Sequence, residues 1–228
     1  MQSHSLSVVI VAGGAGVRLG TSVPKAFVLL AGKPLFMHSL HQFIRYKAIG
    51  DIVLVTAASM LDEARTLCEA EGVSSRVAFI AGGKERWESV RNGVKAVQSD
   101  WVLVHDAARP FVTHAVIDAV LEKSNNYDCV ITVTPEVDTI REFAGDRALE
   151  TINRARVVRV GTPQLFKVSA LKNAFKAVPE MTTLPTDEAM LMQTCGAEVG
   201  IAWGDPLNFK VTTPGDLTLA GALCAFTR

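Results

Sequence analysis

The chain has 228 residues, 49% of them hydrophobic and 20% charged, enough to bury the core of one large α/β domain or of two small ones. Its 23 basic and 23 acidic residues cancel, which argues against a general nucleic-acid binder, because such a protein carries a basic excess. No apolar run approaches the roughly 18 residues that span a bilayer, no basic segment leads into an apolar leader, and Cys68, Cys129, Cys195 and Cys224 lack C-x-x-C spacing; a cytoplasmic chain with reduced thiols and no membrane partner is expected.

The first predicted element is a buried strand over Val8–Val11 that runs straight into Ala12-Gly13-Gly14-Ala15-Gly16-Val17-Arg18-Leu19-Gly20, followed by Pro24-Lys25. Glycine lets the backbone approach an anion closely, and a row of turn amides makes an anion-binding concavity. Arg18 and Lys25 add two cations, so the loop suits a polyphosphate. It is not a Walker A loop, because Gly20-Thr21 lacks the lysine. Nor is it the G-x-G-x-x-G dinucleotide fingerprint, because Leu19 stands where the third glycine belongs and the next strand, Ile52–Thr56, ends without a ribose-binding acid.

Leu35–Tyr46 carries an apolar stripe of helical period, and Ile52–Thr56 reads as the second strand. Ser59 with Asp62 matches a capping box opening a helix to about Gly72. Val77–Ile80 is a third strand, Glu85–Val97 a helix, Trp101–Val104 a fourth strand, and Cys129–Val133 a fifth, with Thr113 capping the helix between the last two. Alternating strands and helices predict parallel βαβ units, a doubly wound, mostly parallel sheet forming a single domain over residues 1–228. The alternation breaks between about Pro135 and Phe166. There two strand-like halves, Thr139–Phe143 and Arg156–Val160, flank a Gly145-Asp146 turn and predict a protruding β-arm that needs a partner surface. Ser169 and Thr186 are expected to cap two further helices, Val199–Trp203 is a late strand, and Thr213-Pro214-Gly215-Asp216 opens the last helix.

Ligands in doubly wound sheets bind beyond the carboxyl ends of the strands. Four clusters fall there: the glycine loop, Gly82-Gly83-Lys84-Glu85-Arg86 with Ser89, His105-Asp106-Ala107-Ala108-Arg109-Pro110, and Asp205 to Thr212. Thr186-Asp187-Glu188 lies near the same edge. His105 is read as a packing or hydrogen-bonding residue, Arg86 as the partner of an acid on its own helix, and Lys84 as solvent-facing. Asp106 beside Arg109 reads as functional.

These motifs resemble 2-C-methyl-D-erythritol 4-phosphate cytidylyltransferases. The residues that carry the resemblance are Ala12-Gly13-Gly14-x-Gly16-x-Arg18 with Pro24-Lys25, His105 to Pro110, Thr162-Pro163-Gln164, Thr186-Asp187-Glu188 and Asn208-x-Lys210-Val211-Thr212. Two positions depart from the usual family pattern: Ala12-Gly13-Gly14 replaces Ala-Ala-Gly, and Lys84 replaces an acid. The resemblance implies a Rossmann-like nucleotidyltransferase fold and transfer of cytidylyl from CTP to methylerythritol 4-phosphate. Ala12, Gly13, Gly14, Gly16, Gly83, Ser89, Asp106 and Ala107 would bind CTP. Arg18, Lys25 and Lys210 would be catalytic, and Arg109, Thr139, Arg154 and Thr186 would hold the acceptor. Mg²⁺ would arrive with the triphosphate, with Asp106 as its one candidate protein ligand, and a homodimer would exchange arms. The reading keeps two alternatives: a ribitol 5-phosphate cytidylyltransferase and a catalytically silent nucleotide-binding module.

Overall fold

The structure, a computed structural model, describes residues 5–14, 16, 19–20, 23–178, 181 and 183–226. Its first strand, β1 (Leu6–Val11), is inserted between two parallel neighbours. β1 is buried on both faces: Val8 and Ile10 enter one core cluster and Val9 the other. A strand covered on both sides is selected for continuous β-branched character, and Val-Val-Ile-Val has it. Beyond the loop that follows β1, a 3₁₀ turn at Lys25–Phe27 leads to the two-residue strands β2 (Leu29–Leu30) and β3 (Lys33–Pro34). They pair through a tight turn at Ala31-Gly32, where φ is 50° and 84°.

Helix α1 (Leu35–Arg45) precedes β4 (Ile49–Thr56), and α2 (Leu61–Ala70) precedes β5 (Val77–Ala81). Then come α3 (Arg86–Ala96), β6 (Trp101–Asp106), α4 (His114–Leu121) and β7 (Cys129–Pro135). Two further strands, β8 (Ile140–Ala144) and β9 (Arg147–Ile152), form a separate antiparallel pair. The chain returns in β10 (Val158–Lys167) and continues through α5 (Val168–Ala174), α6 (Glu188–Thr194), β11 (Val199–Trp203) and α7 (Pro214–Phe226). The main sheet has the order β11-β7-β10-β6-β1-β4-β5, with β10 alone antiparallel to its neighbours. This is the mostly parallel, doubly wound α/β sheet that the alternation of elements predicted.

Helices α1, α2 and α4 cover one face through Leu40, Phe43, Cys68 and Ile117, while α3, α5 and α6 cover the other through Val90, Val94, Leu171 and Leu191. The ends of β1 and β6 are level, since Val11 pairs with Asp106, and the loops beyond them therefore meet.

Four local expectations change. Ser59 does not cap α2, which is entered from a 3₁₀ turn at Ala58–Met60 with no side-chain cap; the capping box is made at α3 by Glu85 and Glu88. Ser169 lies inside α5, and Asp187 rather than Thr186 caps α6, accepting from the Met190 amide at 2.8 Å. The arm pairs differently from its predicted halves. A two-residue turn at Gly145-Asp146 forces the next residues to pair at once, so Ala144 meets Arg147 and Ile140 meets Ile152. Arg156–Val160 mostly re-enters the main sheet instead, with Val158 opposite Pro135 and Val160 opposite Val133.

Gly93 shows how tightly α3 is seated. A Cβ there would lie 2.5 Å from Val9 Cγ1 and 2.8 Å from Val55 Cγ2, so the helix rests directly on β1 and β4. Gly93→Ala would gain about 1 kcal/mol of helix propensity against an overpacking cost of about 1–3 kcal/mol. The expected net effect is a lower urea midpoint; a variant as stable as the parent would show that α3 shifts freely.

Candidate functional site

Two adjoining cavities open beyond the carboxyl ends of the central strands. The first, about 340 Å³, is lined by Val11, Gly13, Gly14, Lys25, Gly83, Ser89, Asp106 and Ala108, with Lys84, Glu85, Arg86 and Lys210 completing the wall. The second, about 420 Å³, is lined by Arg109, by Thr132–Thr134, by Arg159 to Gly161, by Asp205 and Pro206, and by Asn208 to Lys210. Lys210 borders both.

The glycine loop keeps its shape by contacts that only glycine permits. Gly16 has φ 74°, and a Cβ on it would lie 2.9 Å from the Lys25 backbone nitrogen. The Lys25 amide donates to the Gly14 carbonyl at 3.2 Å, which fixes the base of the lysine beside the loop. Ala12 sits behind the loop, buried, with its amide on the Val55 carbonyl at 2.7 Å. On the opposite wall, Ser89 Oγ accepts from the Gly83 amide at 3.1 Å and donates to the Glu85 carbonyl at 3.3 Å. A Cβ on Gly82 would crowd Ser89 Oγ at 2.8 Å, and one on Gly83 would collide with Glu88.

Between these walls stands Asp106, buried at the end of β6. Its Oδ2 accepts from Lys210 Nζ at 2.6 Å, and its Oδ1 from Arg86 Nη2 at 3.1 Å and Nε at 3.2 Å. Arg86 Nη1 reaches Glu188 Oε2 at 2.7 Å. Burial opposes ionisation of Asp106, but Arg86 and Lys210 outweigh it and hold the carboxyl well below the usual range. Burial pushes Glu188 upward, with Arg86 opposing. Arg86 is therefore not a local pair on its own helix, as its spacing suggested, but a bridge between β6 and α6. A sequence signal existed for both partners. A cation in the first turn of α3 opposes the helix dipole and needs another anchor, and Glu188 falls on the apolar stripe of α6 with Leu191 and Met192.

The second cavity is organised around Arg109 and Asn208. Arg109 Nη1 donates to the Asn208 carbonyl at 2.9 Å, and Asn208 Nδ2 donates to the Thr162 carbonyl at 2.8 Å. Thr162 Oγ1 accepts from the Asp106 amide at 3.1 Å and lies 3.1 Å from His105 Nδ1. His105 Nε2 is 3.1 Å from the Arg109 carbonyl, so a neutral ring with its proton on Nε2 satisfies both bonds. Arg159 and Thr132, which the sequence reading passed over, also line this cavity.

Of the predicted site residues, Lys25, Lys210, Gly13, Gly14, Gly83, Ser89, Asp106 and Arg109 line one or both cavities. Ala12, Gly16 and Ala107 support the walls from behind; the Ala107 amide donates to the Val11 carbonyl at 3.0 Å. Thr139, Arg154 and Thr186 line neither cavity. Thr139 and Arg154 lie on the arm, where Arg154 Nη1 donates to the Val137 carbonyl at 2.5 Å, and Thr186 Oγ1 faces Met190 Sδ at 3.7 Å. Arg18 lies outside the described residues. Chemically, the arrangement offers a glycine-walled space for one phosphate-bearing group, a guanidinium-lined space for another, and one ammonium between them.

His105 gives a test of the buried centre. Burial lowers its pKa from 6.5 to about 4. The folded value lies below the unfolded one, so the stability it contributes is present above pH 6.5 and is lost as pH falls towards 4. Urea unfolding at stepped pH should show a decline of up to roughly 3 kcal/mol across that window. The decline should flatten in His105→Asn; parallel curves would assign it to other groups.

With this geometry in place, comparison with known proteins is direct. The family profile of IspD, 2-C-methyl-D-erythritol 4-phosphate cytidylyltransferase, matches residues 6–225. A relative of that name from Bacteroides thetaiotaomicron is 40% identical over 218 residues, covering 95% of this chain and 98% of its own. One from Halalkalibacterium halodurans is 37% identical over 220 residues, covering 96% of each. Among solved structures, the 4-diphosphocytidyl-2C-methyl-D-erythritol synthase of Anaerococcus prevotii superposes with a TM-score of 0.85 at 25% identity, covering 98% of this chain and 100% of that one. The 2-C-methyl-D-erythritol 4-phosphate cytidylyltransferase of Thermus thermophilus superposes with a TM-score of 0.81 at 28% identity, covering 95% and 98%. By the length of the profile match and the identity to these relatives, the chain belongs to the 2-C-methyl-D-erythritol 4-phosphate cytidylyltransferase family.

Proposed function

We propose that CTP occupies the glycine-walled cavity, that the phosphate of 2-C-methyl-D-erythritol 4-phosphate occupies the guanidinium-lined one, and that cytidylyl transfer with loss of pyrophosphate takes place at Lys210 between them. The family reaction is this transfer, a step of isoprenoid biosynthesis by the methylerythritol phosphate route. The observation that carries the reading is the placement of Lys210, which borders both cavities while paired to Asp106.

The chemistry asks little of acids and bases. A phosphate monoester has a second pKa of about 6 and is already an ionised nucleophile near neutrality. The work is to bring two anions together and to stabilise charge on the phosphorus being attacked. In this reading the amides around Gly13 and Gly14 hold the triphosphate, Lys25 and Arg18 meet the charge that develops in the transition state, and Lys210 orients the α-phosphate. Gly83, Ser89 and Asp106 approach the base and ribose. Arg109 grips the acceptor phosphate. His105, buried and held neutral by its environment, keeps the Asp106–Arg109 turn in shape.

Among the described residues no group of three or more His, Cys, Asp or Glu side chains is placed to hold a metal ion. The one candidate carboxylate, Asp106, has Arg86 on Oδ1 and Lys210 on Oδ2, so it would meet a divalent cation carried in on the triphosphate only by sharing an oxygen with them; Mg²⁺ keeps several waters and takes few protein ligands. Bound there, the cation would neutralise the phosphate oxygens and ease pyrophosphate departure.

The arm supports a twofold dimer. Phe143 and Val137 are 78% and 65% exposed, Arg154 stands away from both cavities of its own chain, and two strands alone bury too little to be stable. A second copy would cover the arm and receive Thr139 and Arg154 in its acceptor site.

Lys25→Ala should lower kcat at least about a hundredfold, roughly 2.7 kcal/mol, with a smaller change in CTP affinity; steady-state pyrophosphate release with calorimetric CTP binding separates the two. Near-normal kcat with weakened binding would make Lys25 a binding residue only.

The exchanged arm can be tested by subunit mixing. Lys25→Ala and Arg154→Ala chains, each nearly inactive, are dissociated together and reassociated. In a mixed dimer with exchanged arms one site keeps both residues and the other loses both. Random pairing makes about half the dimers mixed, so activity should return to about a quarter of wild type. No recovery, with mixed dimers present by mass spectrometry, would assign Arg154 to its own chain's site.

A further inference from the structure

Glu188 is 1% exposed and lines neither cavity, yet it is the second anchor of a guanidinium that does line one. Its Oε2 accepts from Arg86 Nη1 at 2.7 Å, while its Oε1 is buried with no hydrogen-bond partner among the described residues. Arg86 spends its other donors, Nε and Nη2, on Asp106 Oδ1. That leaves Asp106 Oδ2 for Lys210 Nζ at 2.6 Å. Four side chains from α6, α3, β6 and the segment before α7 thus form one line, with alternating charge types from the back of the sheet to the junction of the cavities.

A buried carboxylate with one oxygen unpartnered is a poor device for stability. Its desolvation cost is large, and an apolar residue of similar volume would serve the core at least as well. Its neighbours Ala189, Leu191 and Met192 already provide apolar packing from the same helix. What the Glu188 acceptor does provide is direction. Arg86 carries its donors in a rigid planar fork, so anchoring Nη1 fixes the plane in which Nε and Nη2 meet Asp106. The anchor itself is immobile, because α6 is tied down at its first turn. Asp187 caps it and accepts from Gln164 Nε2 at 3.0 Å, which locks the helix start to β10.

We propose that Glu188 is a positioning residue for nucleotidyl transfer: through the Arg86 fork it fixes the Asp106 carboxylate and thereby the place of the Lys210 ammonium between the two substrates. The proposal rests on the reading of the two cavities given above. Lys210 acts on phosphate where charge changes most, so a misplaced Asp106 is felt in the chemical step before it is felt in nucleotide binding.

Three variants test this, each assayed as the full-length protein with CTP and methylerythritol 4-phosphate, kcat being counted per CTP-binding site from calorimetric stoichiometry. Glu188→Leu removes the acceptor and should lower kcat about 10- to 100-fold, with the KM for CTP changed less than about threefold. Glu188→Gln keeps an acceptor oxygen for Nη1 and should recover most of that loss. Arg86→Lys replaces the fork with a point charge and should show the same split as Glu188→Leu, which keeps the test decisive if the leucine variant does not fold. Wild-type kcat per site in Glu188→Leu, a loss confined to KM or to the fraction of sites that bind CTP, or no recovery in Glu188→Gln would overturn the proposal; if Glu188→Leu is unfolded, wild-type kcat per site in Arg86→Lys does so. Absence of pyrophosphate release by the unmodified chain would instead overturn the reading of the cavities.

Discussion

The buried carboxylate of Asp106 is the constraint from which the rest of the site follows. It lies at the end of a central strand, where three chain segments far apart in sequence must meet, and an uncompensated charge there would cost several kcal/mol. Compensation needs two cations, and the fold delivers them from Arg86 at the start of α3 and Lys210 before α7. The backbone keeps these suppliers in register. The Ala107 amide continues the β1–β6 ladder through the Val11 carbonyl, and the Val211 amide donates to the Ala108 carbonyl at 2.9 Å, which brings the Lys210 segment against the turn after Asp106. The same ion pairs that make the carboxylate tolerable therefore hold two basic side chains at the edge where anions would bind.

Thr162 performs a parallel task without charge. Its hydroxyl satisfies the Asp106 amide and meets His105 Nδ1, and its carbonyl takes the Asn208 side chain. One residue of the antiparallel strand thus couples the turn after β6 to the loop that carries Lys210. This explains why a histidine beside the key aspartate is not needed as a base. Both ring nitrogens are engaged in structural bonds, and the ring edge packs against Phe43 at a centroid distance of 5.0 Å. The reaction class fits such a centre, because an ionised phosphate brings its own nucleophilic oxygen and asks the protein for positive charge in fixed places.

The parts of the molecule legible in the sequence are those with a local cause. The glycine loop announces itself because its tight turn tolerates no Cβ, as the positive φ of Gly16 and its closeness to Lys25 show. The parallel strands are legible from β-branched runs, α1 from its apolar period and α4 from its Thr113 cap. What is not legible depends on contacts between distant segments. Arg86 and Glu188 are 102 positions apart, and periodicity within either helix cannot pair them, although a cation at a helix start and an acid on an apolar stripe each mark a local conflict that only a distant partner resolves. The arm misleads for a different reason. Residues 147–152, Arg-Ala-Leu-Glu-Thr-Ile, lack polar–apolar alternation and have no buried face, so the more hydrophobic Val157-Val158 run attracts the strand assignment, whereas turn geometry decides pairing before hydrophobicity does.

The reversal of β10 links the arm to the site. The sheet is left at Pro135 and re-entered at Val158, and these two residues face each other across the ladder, so the base of the arm is closed by main-sheet hydrogen bonds. Thr132–Thr134 on the outgoing strand and Arg159 to Gly161 on the returning one are also the wall of the guanidinium-lined cavity. Arm and cavity wall are therefore the same two strands at successive heights. Arg109 reinforces the junction: a Cβ on Gly161 would lie 3.4 Å from its Nη1, so the guanidinium rests close against the strand that leads into the arm. A surface that seats the arm would set the twist of these strands and with it the width of the cavity below. If a second copy seats the arm and the acceptor binds in this cavity, as proposed above, ordering the arm and shaping the acceptor site would become one event carried by a short stretch of paired backbone.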